Sequence, residues 1–523
     1  MKKLTLTIAA AAMATSAFAQ TSLVNANFSQ ITDVGDGSFN LTGDLTLPAN
    51  GEFILEGPLF VQNDATLTIQ EGVIVRGQPD VGGEPGLLVI TRDGKINASG
   101  TQSNPIIFTT AADDSNGRWT SGDTFLDAAP KTSPIAVAAN LWGALVVLGN
   151  APCNVGTVDT GSPGEAYIEG ITEDARSLYG GFDANDNSGV LEYISIRYSG
   201  DVIVDGQEIQ GLTLGGVGFG TKVQFVEVFG SGDDGIEIFG GTVGVKNLVL
   251  FGHDDDGFDG DHGWNGFAQN VLIVNGNTIT ADHAIELDGD DTDDFDGTPG
   301  NGDEDNISAD GRPFASAHLA NFTVIGMLGS DDTATRFRRG FGGSFKNSLI
   351  AGFPSTKGLR VDNTGGVLFA GTDLPVLFGY PSVKSQNRVT AGTFNIAGLT
   401  FFNVGSGTAA TIANSAFEEG IINNTEGESE ANIASADPGF GQVGTGFFAV
   451  DQGGIDLSDL TGGTFNPVPN PDSSAAWGST VDLGSNFFDA QSYRGAFQPN
   501  ASLELWTTGW TALNTAGIIV DRL

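Results

Sequence analysis

Cysteine is almost missing from this chain of 523 residues: Cys153 stands alone. One thiol excludes an intramolecular disulfide framework. Its distance from the N-terminus excludes a lipid-anchored N-terminal cysteine, and structural zinc on paired thiolates is excluded with it. A lone residue of this type is expected as a small buried apolar group rather than a nucleophile. Basic residues are scarce too. Lys and Arg number 22 against 64 Asp and Glu, a formal charge of −42. Such a surface repels nucleic acid and anionic lipid, so neither is expected as a partner. No apolar run after the first 19 residues reaches 18, so no transmembrane span is expected. No EF-hand, P-loop or dinucleotide fingerprint stands in a supporting context, and no segment reads as an amphipathic helix.

What is present begins with an export signal. Lys2 and Lys3 precede an apolar run from Leu4 to Ala14, then Ala17-Phe18-Ala19. Residues 1–19 read as a secretory signal peptide, with Gln20 as the mature N-terminus. Export to the extracellular space, the outer cell surface or the periplasm follows as an expectation.

Four asparagines then recur in one register. Asn247, Asn270, Asn321 and Asn347 open the phrases NLVLFG, NVLIVNG, NFTVIG and NSLIAG. Each is followed three places on by an aliphatic residue and then by a Gly. Short β-type runs closed by Gly at such a period signal a solenoid. The gaps are 23, 51 and 26 residues, and the middle one reads as two turns with a degenerate copy. Asn at a fixed position suits the bend of a parallel β-helix, where stacked amides can donate one way and accept the other. The register extends upstream through Phe225 and Tyr193. Abundant glycine (77) suits tight corners, and 35 Phe against 6 Tyr suits a stacked apolar interior.

The segment VITRDGKINASGTQSNPIIFTT, with Gly94, Gly100, Thr101, Pro105, Ile106, Phe108 and Thr109, is similar to a coil of many bacterial right-handed parallel β-helix proteins. YGGFDANDNSGVLEYISIRYSG, GLTLGGVG and SGDDGIEIFGG resemble exported β-helix proteins of Gram-negative bacteria, of the pectate-lyase-like superfold. Asp437–Phe440 and NPDSSAAWG (470–478) resemble the closing segment of such helices. The resemblance implies an all-β fold, a right-handed parallel β-helix solenoid with N- and C-terminal caps. It implies no single activity, since lyases, glycosidases, adhesins and tailspikes share the architecture. The expected organisation is a lead-in or cap at 20–50, the β-helix at 51–465 and a Pro-rich segment and cap at 466–523. Trp477, Trp506 and Trp510 are expected as packing in that last segment rather than as a sugar platform.

The chemistry concentrates in one section. Residues 231–310 carry 20 Asp or Glu against Lys246 alone. The phrases around Glu237, Asp259 and Glu286 are about one turn apart, so these carboxylates are expected to form a column. Like charges stacked about 4.8 Å apart require a cation or raised pKa values. Calcium, bound by several oxygens in flexible geometry, is the expected cofactor. Its candidate ligands are Asp233, Asp234, Glu237, Asp254, Asp255, Asp256, Asp259, Asp261, Glu286 and Asp288. His253, His262 and His283 fall in the same section but are expected in solvated loops. Asp183–Gly189 reads as a small turn-rich loop with partial calcium-type spacing. Arg336, Arg338 and Arg339 follow the acidic section and are expected to offset it from the next turn. The leading function is an exported calcium-stabilised surface or matrix protein that binds an extracellular glycan or another cell-surface component. The competing class is a polysaccharide lyase or glycoside hydrolase, in which Arg338 would be the catalytic candidate.

Overall fold

A computed structural model describes residues 20–24, 26–79, 85–113, 139–155, 164–200, 209–275, 281–289, 313–326, 333–353, 359–361, 394–404, 434–435, 441–443, 464–473, 483–499, 504–515 and 519. The signal peptide, Trp477, residues 290–310 of the acidic section and Asp437–Phe440 lie outside them.

Short apolar-alternating runs pair in parallel, each with the run one turn later, as a β-helix requires. Two long parallel sheets result. One is built of short strands, among them Leu212–Gly215, Ile236–Phe239, Phe258–Asp261, His283–Asp288 and Thr333–Arg338. The other carries long strands through the middle: Gly189–Ser199, Lys222–Ser231, Gly244–His253, Phe267–Val274 and His318–Ile325. An antiparallel pair, Ile31–Asp33 with Phe39–Leu41, begins the short-strand stack within the expected lead-in. Between the sheets lies one stacked core, with Ile236, Ile238, Phe258, Ile285, Leu287 and Phe337 from one side and Leu248, Leu250, Val271, Ile273 and Phe322 from the other. Among the described residues no helix is long and apolar enough to cross a membrane.

The long strands bend at one position. Tyr193, Phe225, Asn247, Asn270, Asn321 and Asn347 fall in one column, and all have left-handed backbone at φ between 52° and 60°. Asn tolerates that conformation best among non-glycine residues, which is why it recurs at this corner. Among the described residues, Asn270 and Asn321 do not bond amide to amide as the expected ladder requires. Asn321 instead donates to the main-chain oxygens of Asn347 (3.5 Å) and Tyr493 (3.1 Å), and Asn270 accepts from Gln491 (2.9 Å). The backbone bend is the stronger demand, and the amides serve a neighbouring segment. Upstream, Tyr193 and Phe225 fill the column as stacked rings with centroids 4.4 Å apart.

The 51-residue interval is a correction. Val271 pairs directly with Phe322, so Asn270 and Asn321 lie on adjacent turns. The extra length is an insertion within one turn, not a degenerate copy. Insertions leave a solenoid intact when the strands on either side keep their register.

The segment near the C-terminus lies along the flank of the long-strand sheet. Arg494 donates to Leu399 O, Gly495 to Asn347 O and Ala496 to Thr323 Oγ1. Farther on, Glu227 accepts from the backbone N–H of Ala512 and Leu513 at the start of the helix Ala512–Thr515. Trp510 is buried and meets Tyr193 and Phe225 edge-on. Trp506 stacks on Phe497. Both tryptophans are therefore packing residues, as the sequence suggests.

Candidate metal centre

The short-strand sheet positions the carboxylates. Along each strand alternate residues enter the core, so Glu237, Asp259 and Glu286 face outward while Ile236, Phe258 and Ile285 face in. The pairing sets Glu237 beside Asp259 and Asp259 beside Glu286, the expected column. The turn before each strand adds a second set. Asp256 N donates to Asp234 Oδ1 (2.7 Å), and His283 N donates to Asp256 Oδ1 (2.5 Å). Each aspartate thus holds the turn of the next coil, which explains why Asp recurs there.

These groups are buried. Glu237 is 5% exposed, Glu286 7% and Asp256 4%. Burial pushes the carboxyls of Asp234, Glu237, Asp256 and Asp259 well up, and neighbouring carboxylates push them further. For Glu286 the value is pushed up to about 8, by burial first and then by Asp256 and Asp288. The column carries its own repulsion and needs protons or cations to relieve it.

Three sets of potential ligand atoms converge, each within 4.8 Å: Asp233 with Asp234 and Asp255, Asp234 with Glu237 and Asp259, and Asp256 with His283 and Glu286. Seven of the ten sequence-designated ligands are brought together in this way. Asp254, Asp261 and Asp288 fall in none of these sets. Asp254 N donates to Asp233 O, and Asp288 is held by arginines. Arg336 lies next to Glu286 in register and contacts it at 3.2 Å. Arg338 meets Glu286 at 2.7 Å and Asp288 at 2.6 Å, while Arg339 meets Asp288 at 2.8 Å. The arginines therefore close one end of the acidic column, the role expected from their place in the sequence.

The histidines depart from expectation. His253 is fully buried, and burial lowers its pKa to about 4. His283 is 1% exposed and sits inside the carboxylate cluster. Neither lies in a solvated loop. His262 makes a close contact with the Tyr179 hydroxyl and stacks on its ring. The polar letters around these residues suggest loops, but the turns stack too closely to leave them in water. Sequence reasoning also missed Glu169, which adds its charge to that on Glu237 and accepts from Gln210. It comes from an insertion that packs outside the sheet, and no repeat phase announces such a contact. Asp183–Gly189 forms side-chain turns, with Asn185 N donating to Asp183 Oδ1 and Gly189 N to Asn187 Oδ1. Cys153 is buried with its thiol pushed up to about 12 by burial, which fits a packing residue.

A separate concavity of about 510 Å³ lies at the end of earlier short strands, lined by Gln62, Asn63, Thr91, Arg92, Asp93 and Asn150 among others. Its lining is rich in amides and charged groups.

No curated protein and no solved structure matches the chain. The family model described as a pectate-lyase like beta helix domain matches residues 39–126 and 131–431. That span covers most of the chain and coincides with the stacked parallel strands, so the protein belongs to the pectate-lyase-like β-helix domain family.

Proposed function

We propose that this is an exported, calcium-stabilised β-helix protein of the cell surface or extracellular matrix that binds glycan. One observation carries the cation reading. A column of buried carboxylates, Glu237, Asp259 and Glu286, runs beside the turn aspartates, and arginines offset it at one end only among the described residues. Calcium accepts such oxygen-rich, irregular surroundings and would link adjacent turns. Asp233, Asp234, Glu237, Asp255 and Asp259, whose carboxylate oxygens converge, would hold it. Glycan binding is supported by family membership and by the amide-rich concavity at Gln62, Asn63 and Asn150, whose groups suit sugar hydroxyls. Export is supported by the N-terminal Lys2-Lys3 and apolar run.

The lyase or hydrolase reading is weaker. Its basic candidate, Arg338, is committed to Glu286 and Asp288; burial by itself would lower its pKa, but the charges of Asp288 and Glu286 outweigh that and raise it. A guanidinium held this way is poorly suited to accept a proton.

The test is thermal melting in calcium and in chelator, with calorimetric calcium titration at matched ionic strength. At free calcium 100 times the dissociation constant, each site should add about 2.7 kcal/mol. Coincident melts without calcium heat would refute the cation reading. Incubation with acidic and neutral polysaccharides should give binding without unsaturated products or new reducing ends. Product formation abolished by Arg338→Ala would establish the enzyme instead.

A further inference from the structure

We infer that Asp256, His283 and Glu286 form a second cation site, built for a transition metal such as zinc rather than for calcium. This refines the cation reading above by assigning one part of the acidic column a different ion.

The argument rests on His283. Its ring is almost wholly buried, and Nδ1 makes no hydrogen bond. Yet Nδ1 has three carboxylate oxygens close by: Asp256 Oδ1 at 3.2 Å, Asp282 Oδ2 at 3.4 Å and Glu286 Oε1 at 3.6 Å. A buried nitrogen ringed by acceptors would ordinarily donate to one of them. Here all three oxygens lie within 3.6 Å and none is hydrogen-bonded to the ring nitrogen. Such spacings suit ligands around a common ion. Nitrogen and oxygen atoms bound at about 2.0–2.2 Å sit roughly 3.0–3.6 Å from one another. A neutral imidazole supplies a lone pair for this.

The donor set selects the metal class. Calcium takes six to eight oxygens, and imidazole adds little for it. One imidazole with two or three carboxylates suits zinc or a similar divalent transition ion. The calcium-type groups of the preceding turns, Asp233, Asp234, Glu237, Asp255 and Asp259, contain no nitrogen. Arg336 and Arg338 both touch Glu286. A carboxylate offers about four acceptor positions, so Glu286 can hold them and a metal together. Their charge weakens cation binding. The site also receives Asp282, whose side chain is 60% exposed and can close over a bound ion. Asp256 is fixed by accepting His283 N, so two of the ligands are held by the backbone turn itself.

The test uses the tag-free mature chain in saturating calcium, titrated with zinc. One zinc should bind without displacement by calcium. His283→Gln should weaken zinc binding by about tenfold or more while leaving calcium binding unchanged. Glu286→Gln should weaken zinc as well. Zinc-edge X-ray absorption on the unsubstituted protein is the second readout, independent of how His283→Gln folds. Imidazole scattering in the first shell supports the site; an all-oxygen shell overturns it. No zinc binding in saturating calcium, or equal binding by folded His283→Gln protein, also overturns it. Zinc bound without calcium would sink the calcium reading and leave this one standing. Calcium bound without zinc would do the reverse.

Discussion

Two columns run along this solenoid under one stacking rule and meet opposite electrostatic fates. On the long-strand sheet, Tyr193, Phe225, Asn247, Asn270, Asn321 and Asn347 repeat a left-handed bend with uncharged side chains. On the short-strand sheet, Glu237, Asp259 and Glu286 repeat a carboxylate. The rings of the first column attract, and its amides find partners in the segment that crosses the flank. The second column repels itself and is completed at one end by Arg336 and Arg338. Repetition by itself therefore stabilises a neutral column, whereas it makes a charged column dependent on solution conditions.

Removing metal and changing pH should separate the columns most. The carboxyls of Asp234, Glu237, Asp256, Asp259 and Glu286 are all raised in the folded protein. A raised acid binds more protons folded than unfolded. Its stabilising contribution is present at low pH and is lost as pH rises through the folded value. In chelator, stability should fall as pH rises above 4.5 and on through the folded value of Glu286 at about 8. Saturating calcium should flatten that slope. Melting curves across the range in both conditions check this, and a slope of opposite sign in chelator would contradict the burial of these groups.

Next in size is the loss of the closing charge. Arg338→Leu removes the guanidinium shared by Glu286 and the 1% exposed Asp288, leaving Arg336 and Arg339 alone to offset them. The cost should be about 3–5 kcal/mol by denaturant unfolding without metal. It should shrink when a divalent cation is supplied.

The neutral column offers a smaller effect that no metal will rescue. Asn321→Val places a β-branched residue at φ 58° and removes the bonds to Asn347 and Tyr493. About 2–3 kcal/mol should be lost, equally in calcium and in chelator. Asn321→Gly should cost less, since glycine keeps the bend. Smallest of all, Phe225→Leu removes the stack on Tyr193 and the edge contact with Trp510. A cost of about 0.5–1.5 kcal/mol is expected beyond the area lost. A metal-dependent result for either column-bend variant would erase the distinction between the two columns.

The acidic column was legible because it obeys the repeat. Glu237, Asp259 and Glu286 each follow a core residue in the same phrase, and spacing alone puts them side by side. Arg336 and Arg338 were legible for the same reason. The burial of His283 was not, because it depends on Asp256 from the preceding turn accepting its backbone N–H. Sequence also overcounted turns between Asn270 and Asn321, since an insertion and a degenerate repeat have the same length signature. The placement of Glu169 and of the flanking C-terminal segment depends on contacts between residues far apart in the chain, which periodicity does not encode.

That flanking segment changes what kind of folding unit this is. A plain solenoid has contacts between neighbouring turns only, so it can form from any point and fray from either end. Here Thr508 is joined to Gln102, Leu513 to Glu227 and Asp489 to Gln269. Those links span 406, 286 and 220 residues of chain. Early turns therefore gain these interactions only when residues 489–513 arrive. This chain is a stack closed by a lace: slow to finish because the loop closures are long, and slow to open because several turns must yield together.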